Sequence, residues 1–188
     1  MARTRSRRTG LTLVALLVLL AGGGVAWLTG FPWTAPAPED GAPSAAGIPS
    51  RPGDAVALTV TYVFDGDTIE AADPATDART RVRLIGIDTP EGTPVPDCWA
   101  DEARAHLGEL LPEGSTVWTA PDVESLDRYD RSLRYLWTDD GRFVNYELVA
   151  AGDAEALRIA PNTAHAELFA AAQAEAEASR AGQWGACG

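Results

Sequence analysis

RVRLIGIDTPE, residues 81–91, runs like an apolar strand, carries an arginine in its middle and ends on Asp-Thr-Pro-Glu. In an unbroken strand the period of two places Val82 and Leu84 on one face and Arg83, Ile85 and Ile87 on the other. Arg83 would then share a face with two isoleucines, where a guanidinium needs an anionic partner because an unpaired buried charge is costly. The plainer alternative is a kink at Gly86 that lets Arg83 reach water. Which of the two holds depends on what lies opposite the arginine.

Acidic residues gather around this stretch. Asp65 and Asp67 flank a glycine in DGD, Asp88 closes the apolar run, and Glu91 follows a proline that stiffens its turn. Hard oxygens from two strand ends and a backbone carbonyl suit calcium, which accepts several oxygens in an irregular shell. Taken alone, DGDT reads as an ordinary turn, where Asp and Gly belong.

The chain starts on a different theme. Four arginines lie within MARTRSRR, and the next charged side chain is Glu39. The apolar segment between them is long enough to cross a bilayer as a helix, and its basic flank should stay in the cytoplasm. Residues 1–31 therefore read as an export signal. Cleavage after Ala26 would make it a signal peptide; the apolar run through Trp27 and Leu28 favours an uncleaved anchor. Residues 32–53, rich in Pro, Ala and Gly, read as a linker, and 54–188 as one domain. In an exported chain, the two cysteines, Cys98 and Cys187, are expected to form a disulfide. The two histidines, His106 and His165, are not spaced as a zinc pair.

Charge argues against a generally basic binding surface. All fifteen basic residues are arginines; eleven of them lie in 51–188 against twenty-five acids, a net of about −14. Such a surface repels nucleic acid on average, so contact with phosphates must come from a local cluster or a bound cation.

Periodicity predicts strands over 55–63, over TIEA after the DGD turn, over 80–88, and in STVWTA and SLRYLW. A helix is predicted over 98–111, with Trp99, Ala103 and Leu107 or Leu110 on its apolar side; a short one over VNYELVAAG; and a long one from Thr163 to about Ala181. Five short strands with helices beside them indicate an α+β domain built on a small barrel.

Taken in order, DGDTIEA, VRLIGIDTPE, DRYDRSLRYLW, VNYELVAAG and APNTAH resemble the staphylococcal nuclease (thermonuclease) family over roughly residues 55–184. The resemblance implies an OB-fold five-stranded barrel with about three helices. It also implies a calcium-dependent endonuclease acting on DNA and RNA outside the cytoplasm, as a monomer, membrane-held if its signal is uncleaved. The cysteine pair and the GQWGAC ending are similar to the exported, disulfide-bearing branch. By this resemblance Asp67 and Asp88 are calcium carboxylates, the Thr89 carbonyl is a further ligand, and Asp65 is a supporting acid. Glu91 is the general base, Arg83 and Arg131 hold the scissile phosphate, and Tyr129 and Arg128 border the nucleotide. Two departures stand out. Asp130 occupies a place where the family often has glycine and is expected to pair with Arg131, and EALRIAPN lacks the tyrosines that help cover the base. A chain that binds without turnover, or a domain that calcium only stabilises, is the competing reading. His165 is expected to cap or pack the last helix.

Overall fold

A computed structural model describes residues 47–188. The export segment and most of the linker lie outside the described residues. Among the described residues no helix is long and apolar enough to cross a membrane.

Five strands close into a barrel in the order β1 (Val56–Val63), β2 (Thr68–Ala72), β3 (Arg79–Leu84), β6 (Ser132–Thr138) and β5 (Thr116–Ala120). Neighbours run antiparallel except β3 and β6, which pair in parallel. Alternation fixes what faces inward: Val60, Ile69, Val82, Leu84, Val117 and Leu136 are all buried, while in β6 the outward Tyr135 and Trp137 are buried too, against Phe169 and Phe143. Three helices pack outside the barrel, α1 (Ala100–Leu110), α2 (Val144–Ala150) and α3 (Ala166–Ser179), and a single turn, α4 (Gln183–Ala186), ends the chain. This is the expected OB-type α+β architecture.

The strand expected over 80–88 is interrupted. β3 stops at Leu84, the chain turns through Ile85 and Gly86, and a two-residue strand β4 (Ile87–Asp88) pairs instead with β7 (Glu155–Ala156). Gly86 adopts φ +79°, where a side chain is strained, and a Cβ there would stand 2.6 Å from the Phe169 ring. The break turns Ile85 and Ile87 into the core, so Arg83 does not share their face. Asn145 locks the turn from α2: fully buried, it accepts from Leu136 N and donates to Ile85 O, both at 2.9 Å.

Two other expectations change in detail. Trp99 does not lie on the apolar face of α1; it precedes the helix with φ +76° and donates its indole N–H to Asp153 at 2.7 Å. His165 packs rather than caps, since its ring meets Tyr135 and Phe143 edge-on and no side-chain bond closes α3. At the start of the described residues, Ile48 packs on the core, Pro49 O accepts from the Trp137 indole, and Arg51 lies 4.0 Å over the Trp118 ring.

Cys98 and Cys187 are bonded, joining the loop before α1 to the C-terminus across 89 residues. Closing so long a loop removes about 4–5 kcal/mol of unfolded-chain entropy. Reduction, or Cys98→Ser, should therefore lower the melting temperature by several degrees, as read by circular dichroism with and without reductant. Beside it, the buried Asp153 also accepts from His106 Nδ1 at 2.5 Å. That bond raises the His106 pKa against the opposing effect of burial, with Glu109 and Glu147 adding to the rise. A folded-state value above the ordinary one gives stability that is complete below the ordinary value and fades as pH rises through the raised one. The melting-temperature advantage of the protein over His106→Ala should be full below about pH 6.5 and shrink as pH rises above it.

Candidate active site

The interruption of β3 builds the site. Leu84 O and Ile87 O, on either side of the Gly86 turn, both accept from Arg83 Nη1, at 2.7 and 2.8 Å. The second fork nitrogen, Nη2, reaches Asp88 Oδ1 at 2.7 Å and Asp67 Oδ2 at 3.0 Å. Of the two sequence readings, the kink at Gly86 is correct, but Arg83 turns to carboxylates and carbonyls rather than to water. Its side chain is 12% exposed, and the fork is fixed in one orientation.

Asp67 is held from several sides. Thr89 gives it an amide bond at 3.1 Å and a hydroxyl bond at 3.2 Å, Thr68 a hydroxyl bond at 2.9 Å, and Asp65 accepts from the Asp67 amide at 3.1 Å. Gly66 fits between them because a Cβ would lie 2.8 Å from Thr89 Cγ2 and 2.9 Å from Ala103. Burial pushes the Asp67 carboxyl up to about 6, against the pull of Arg83 and with a further push from Asp65. One guanidinium shared with Asp88 thus undercompensates this carboxylate.

That undercompensation bears on the expected cation. Two carboxylate oxygens lie within 3.0 Å of one nitrogen, a convergent pair of hard donors. Among the described residues no group of three or more His, Cys, Asp and Glu side chains converges as a ligand set. A cation there would draw on Asp67, Asp88, backbone oxygen at Thr89 and solvent, a donor set that fits an alkaline-earth ion. Glu91 is exposed, and its carboxylate has no hydrogen-bond or ion-pair partner among the described residues; its backbone is tied to Asp97 through N at 3.2 Å and O at 2.8 Å.

The parallel pairing of β3 with β6 brings in the second arginine. Val82 faces Ser132 and Arg83 faces Leu133, so Arg131, one residue before Ser132, falls opposite Arg81, one step along the same outward face from Arg83. Both line a cleft of about 390 Å³ together with Arg128, Tyr129, Leu133 and the wall Leu157, Ile159 and Pro161. Asp67, Asp88, Thr89 and Glu91 lie outside its lining, and Arg83 connects the cleft to the carboxylates. Tyr129 is 63% exposed at the rim; Arg128 stands over its ring at 4.7 Å and donates to its hydroxyl at 2.6 Å.

The expected Asp130–Arg131 pair does not form. Asp127 takes the role: its Oδ2 accepts from Arg131 Nε at 2.7 Å, and its Oδ1 from the amides of Tyr129 and Arg131 at 2.8 and 2.9 Å. Burial raises the Asp127 pKa, but these bonds outweigh it and hold the carboxyl below its usual range. Asp130 adopts φ +60°, the left-handed region, so its side chain leaves in another direction. That backbone explains why a glycine is expected there, and Asp is among the residues that tolerate it. The sequence carried a signal for the true partner in the four-residue spacing of Asp127 and Arg131. The cleft wall replaces the absent tyrosines with aliphatic side chains, of which Ile159 is 60% exposed.

A barrel that lines one cleft with two arginines, one of them tied to a pair of carboxylates, offers fixed positive charge to a phosphate ester. The chain belongs to the staphylococcal nuclease homologue family, whose sequence profile matches residues 81–186. It is 36% identical over 129 residues to the thermonuclease of Staphylococcus intermedius, covering 66% of this chain and 74% of that one. Identity to the thermonuclease of Staphylococcus hyicus is 32% over 132 residues, covering 66% and 73%. Endonuclease YhcR of Bacillus subtilis is 33% identical over 135 residues, which are 66% of this chain and 11% of that much longer protein.

The Gly86 turn supplies both carbonyls that orient Arg83. Gly86→Ala should cost about 1–3 kcal/mol through strain and overlap with Phe169. Urea denaturation of the variant beside the parent protein measures the loss.

Proposed function

We propose that the chain is an exported, calcium-dependent endonuclease that hydrolyses the phosphodiester bonds of DNA and RNA. The observation that carries this reading is the meeting of Arg83 and Arg131 in one cleft, with Asp67 and Asp88 on the far side of the Arg83 fork. The family supports the nuclease chemistry. The export signal in the sequence and the disulfide support action outside the cytoplasm.

Hydrolysis builds negative charge on the nonbridging oxygens as phosphorus becomes five-coordinate. Arg131, held by Asp127 through Nε, would face those oxygens with its terminal nitrogens, while Arg83, whose terminal N–H groups are engaged by Leu84 O, Ile87 O, Asp67 and Asp88, would offer its charge and its Nε–H. Little reorganisation is then needed as the charge grows. Glu91, whose carboxylate is free of partners, would take the proton of the attacking water. A calcium ion held by Asp67, Asp88 and Thr89 would supply fixed positive charge and acidify water. Tyr129 and Arg128 would border the nucleotide, and the aliphatic wall at Leu157, Ile159 and Pro161 would meet the base. The products would carry a 3′-phosphate, as in the family.

Residues 47–188 should cut single-stranded DNA and RNA with calcium and lose that activity with chelator, as read by gel electrophoresis of the products. Arg131→Ala and Glu91→Gln should each lower the rate by about 100-fold or more while the circular dichroism spectrum is kept. Binding without cutting under any metal would instead support the non-catalytic reading. Normal turnover in both variants would remove the assigned roles.

A further inference from the structure

Outside the cleft the arginines are not scattered. RTRVR in β3 sets Arg79, Arg81 and Arg83 at every second residue, so all three leave the barrel on its outward face while Val82 and Leu84 fill it. Successive arginines are therefore about 6.6–6.8 Å apart along the strand. Arg83 is the cleft arginine, and the row carries positive charge away from it.

The neighbouring strands furnish this face with aromatic rings. Cross-strand pairing places Glu70 beside Arg81, and Tyr62 beside Glu70. The Arg81 guanidinium lies 4.0 Å over the Phe64 ring, and Tyr62 meets Phe64 edge-on at 4.9 Å. From α1, Arg104 donates to the Tyr62 hydroxyl and to Val63 O, each at 3.1 Å. Tyr62 is 42% exposed. Arg79 is turned to Glu70 at 2.9 Å, and Asp73 and Asp77 lie in the turn beyond it, so the row has an end. Neither Arg81 nor Arg104 has an ion-pair partner among the described residues. Acids outnumber arginines more than two to one in this domain; on this face three guanidiniums, Arg79, Arg81 and Arg104, surround a pair of aromatic rings, with Glu70 opposite Arg81 as the acid facing them across the strands.

We infer that this face is a second contact track for a single-stranded polynucleotide, continuing the strand held at Arg83 and Arg131 across β3, β2 and β1 toward α1. The inference rests on the proposed nuclease reading and names where the substrate lies beyond the scissile phosphate. Arg81, braced by Phe64, offers a planar fork to a flanking phosphate. Tyr62 offers a ring to a base, a contact open to any sequence because every base has a stacking face. Glu70 competes with phosphate for Arg79 and limits the grip at the outer end.

The test is fluorescence anisotropy of labelled oligothymidylate, about 4 and about 16 nucleotides long, with chelator present so that nothing is cut. Arg81→Ala and Tyr62→Ala should each weaken binding of the longer strand roughly 3- to 10-fold and that of the shorter one less. Arg81→Ala should also reduce the salt dependence of the longer strand by about 0.7 in log–log slope, the loss of one phosphate contact. Glu70→Gln should act in the opposite sense and tighten binding. Unchanged affinity and slope in Arg81→Ala, equal losses for the two lengths, or no measurable binding of either would overturn the track. Inorganic polyphosphate competing as well as DNA, with Tyr62→Ala silent, would make the face a general polyanion surface and also overturn it. The nuclease reading fails separately: a protein that binds through this face yet cuts nothing with any metal loses its function assignment and keeps the track.

Discussion

The Arg83 guanidinium is the joint on which the site depends. One of its nitrogens is satisfied by two carbonyls flanking a turn, and the other by the carboxylates of Asp67 in the DGD loop and Asp88 in β4. Remove it and Asp67 remains a buried carboxylate whose neighbours Thr68, Thr89 and Asp65 offer no countercharge. This joint ties together the DGD loop, the Gly86 turn and the start of the DTPE loop. A single side chain therefore serves local structure and the cleft at once.

The strand order explains how so few arginines suffice. In an acidic domain, long-range attraction for phosphate is unfavourable, and useful charge must be concentrated and held rigid. The parallel β3–β6 pair does this by bringing Arg131, which falls opposite Arg81, to the cleft that Arg83 lines from almost fifty residues away in sequence. Each then has its own anchor, the Gly86 turn for one and Asp127 for the other. Arginine is the fitting choice because it has five donors: Arg83 engages four with the protein and keeps its Nε–H, whereas Arg131 engages its Nε–H and keeps its terminal nitrogens.

The sequence made the barrel legible because strands such as β3 and β5 alternate and the first two helices stop close to Pro112 and Gly152. The acidic residues of the site were legible too, since carboxylates at strand ends in DGD and IDTPE have no role in a core. What escaped depends on backbone state and on pairing between distant segments. Gly86 reads equally well inside a strand or in a turn until Phe169 and Asn145 are seen to fix it. The mistaken Asp130 pairing has the same origin: adjacency in sequence suggests contact, and only φ +60° shows that Asp130 faces elsewhere while Asp127 reaches back. The β3–β6 contact could not be read from either strand alone, because parallel pairing leaves no turn between its partners.

The bond between Cys98 and Cys187 also divides the chain into a covalent ring and a tail. The ring holds α1, β5, β6, α2, β7, α3 and α4; the tail holds β1 to β4. Arg131 belongs to the ring, whereas Asp67, Arg83, Asp88 and Glu91 belong to the tail. One backbone cut anywhere within the ring opens it without releasing a fragment, and every strand of the barrel stays on one connected molecule. Cuts in the tail have no such safeguard, so the exposed β2–β3 turn around Thr76 is where a single nick would detach part of the barrel.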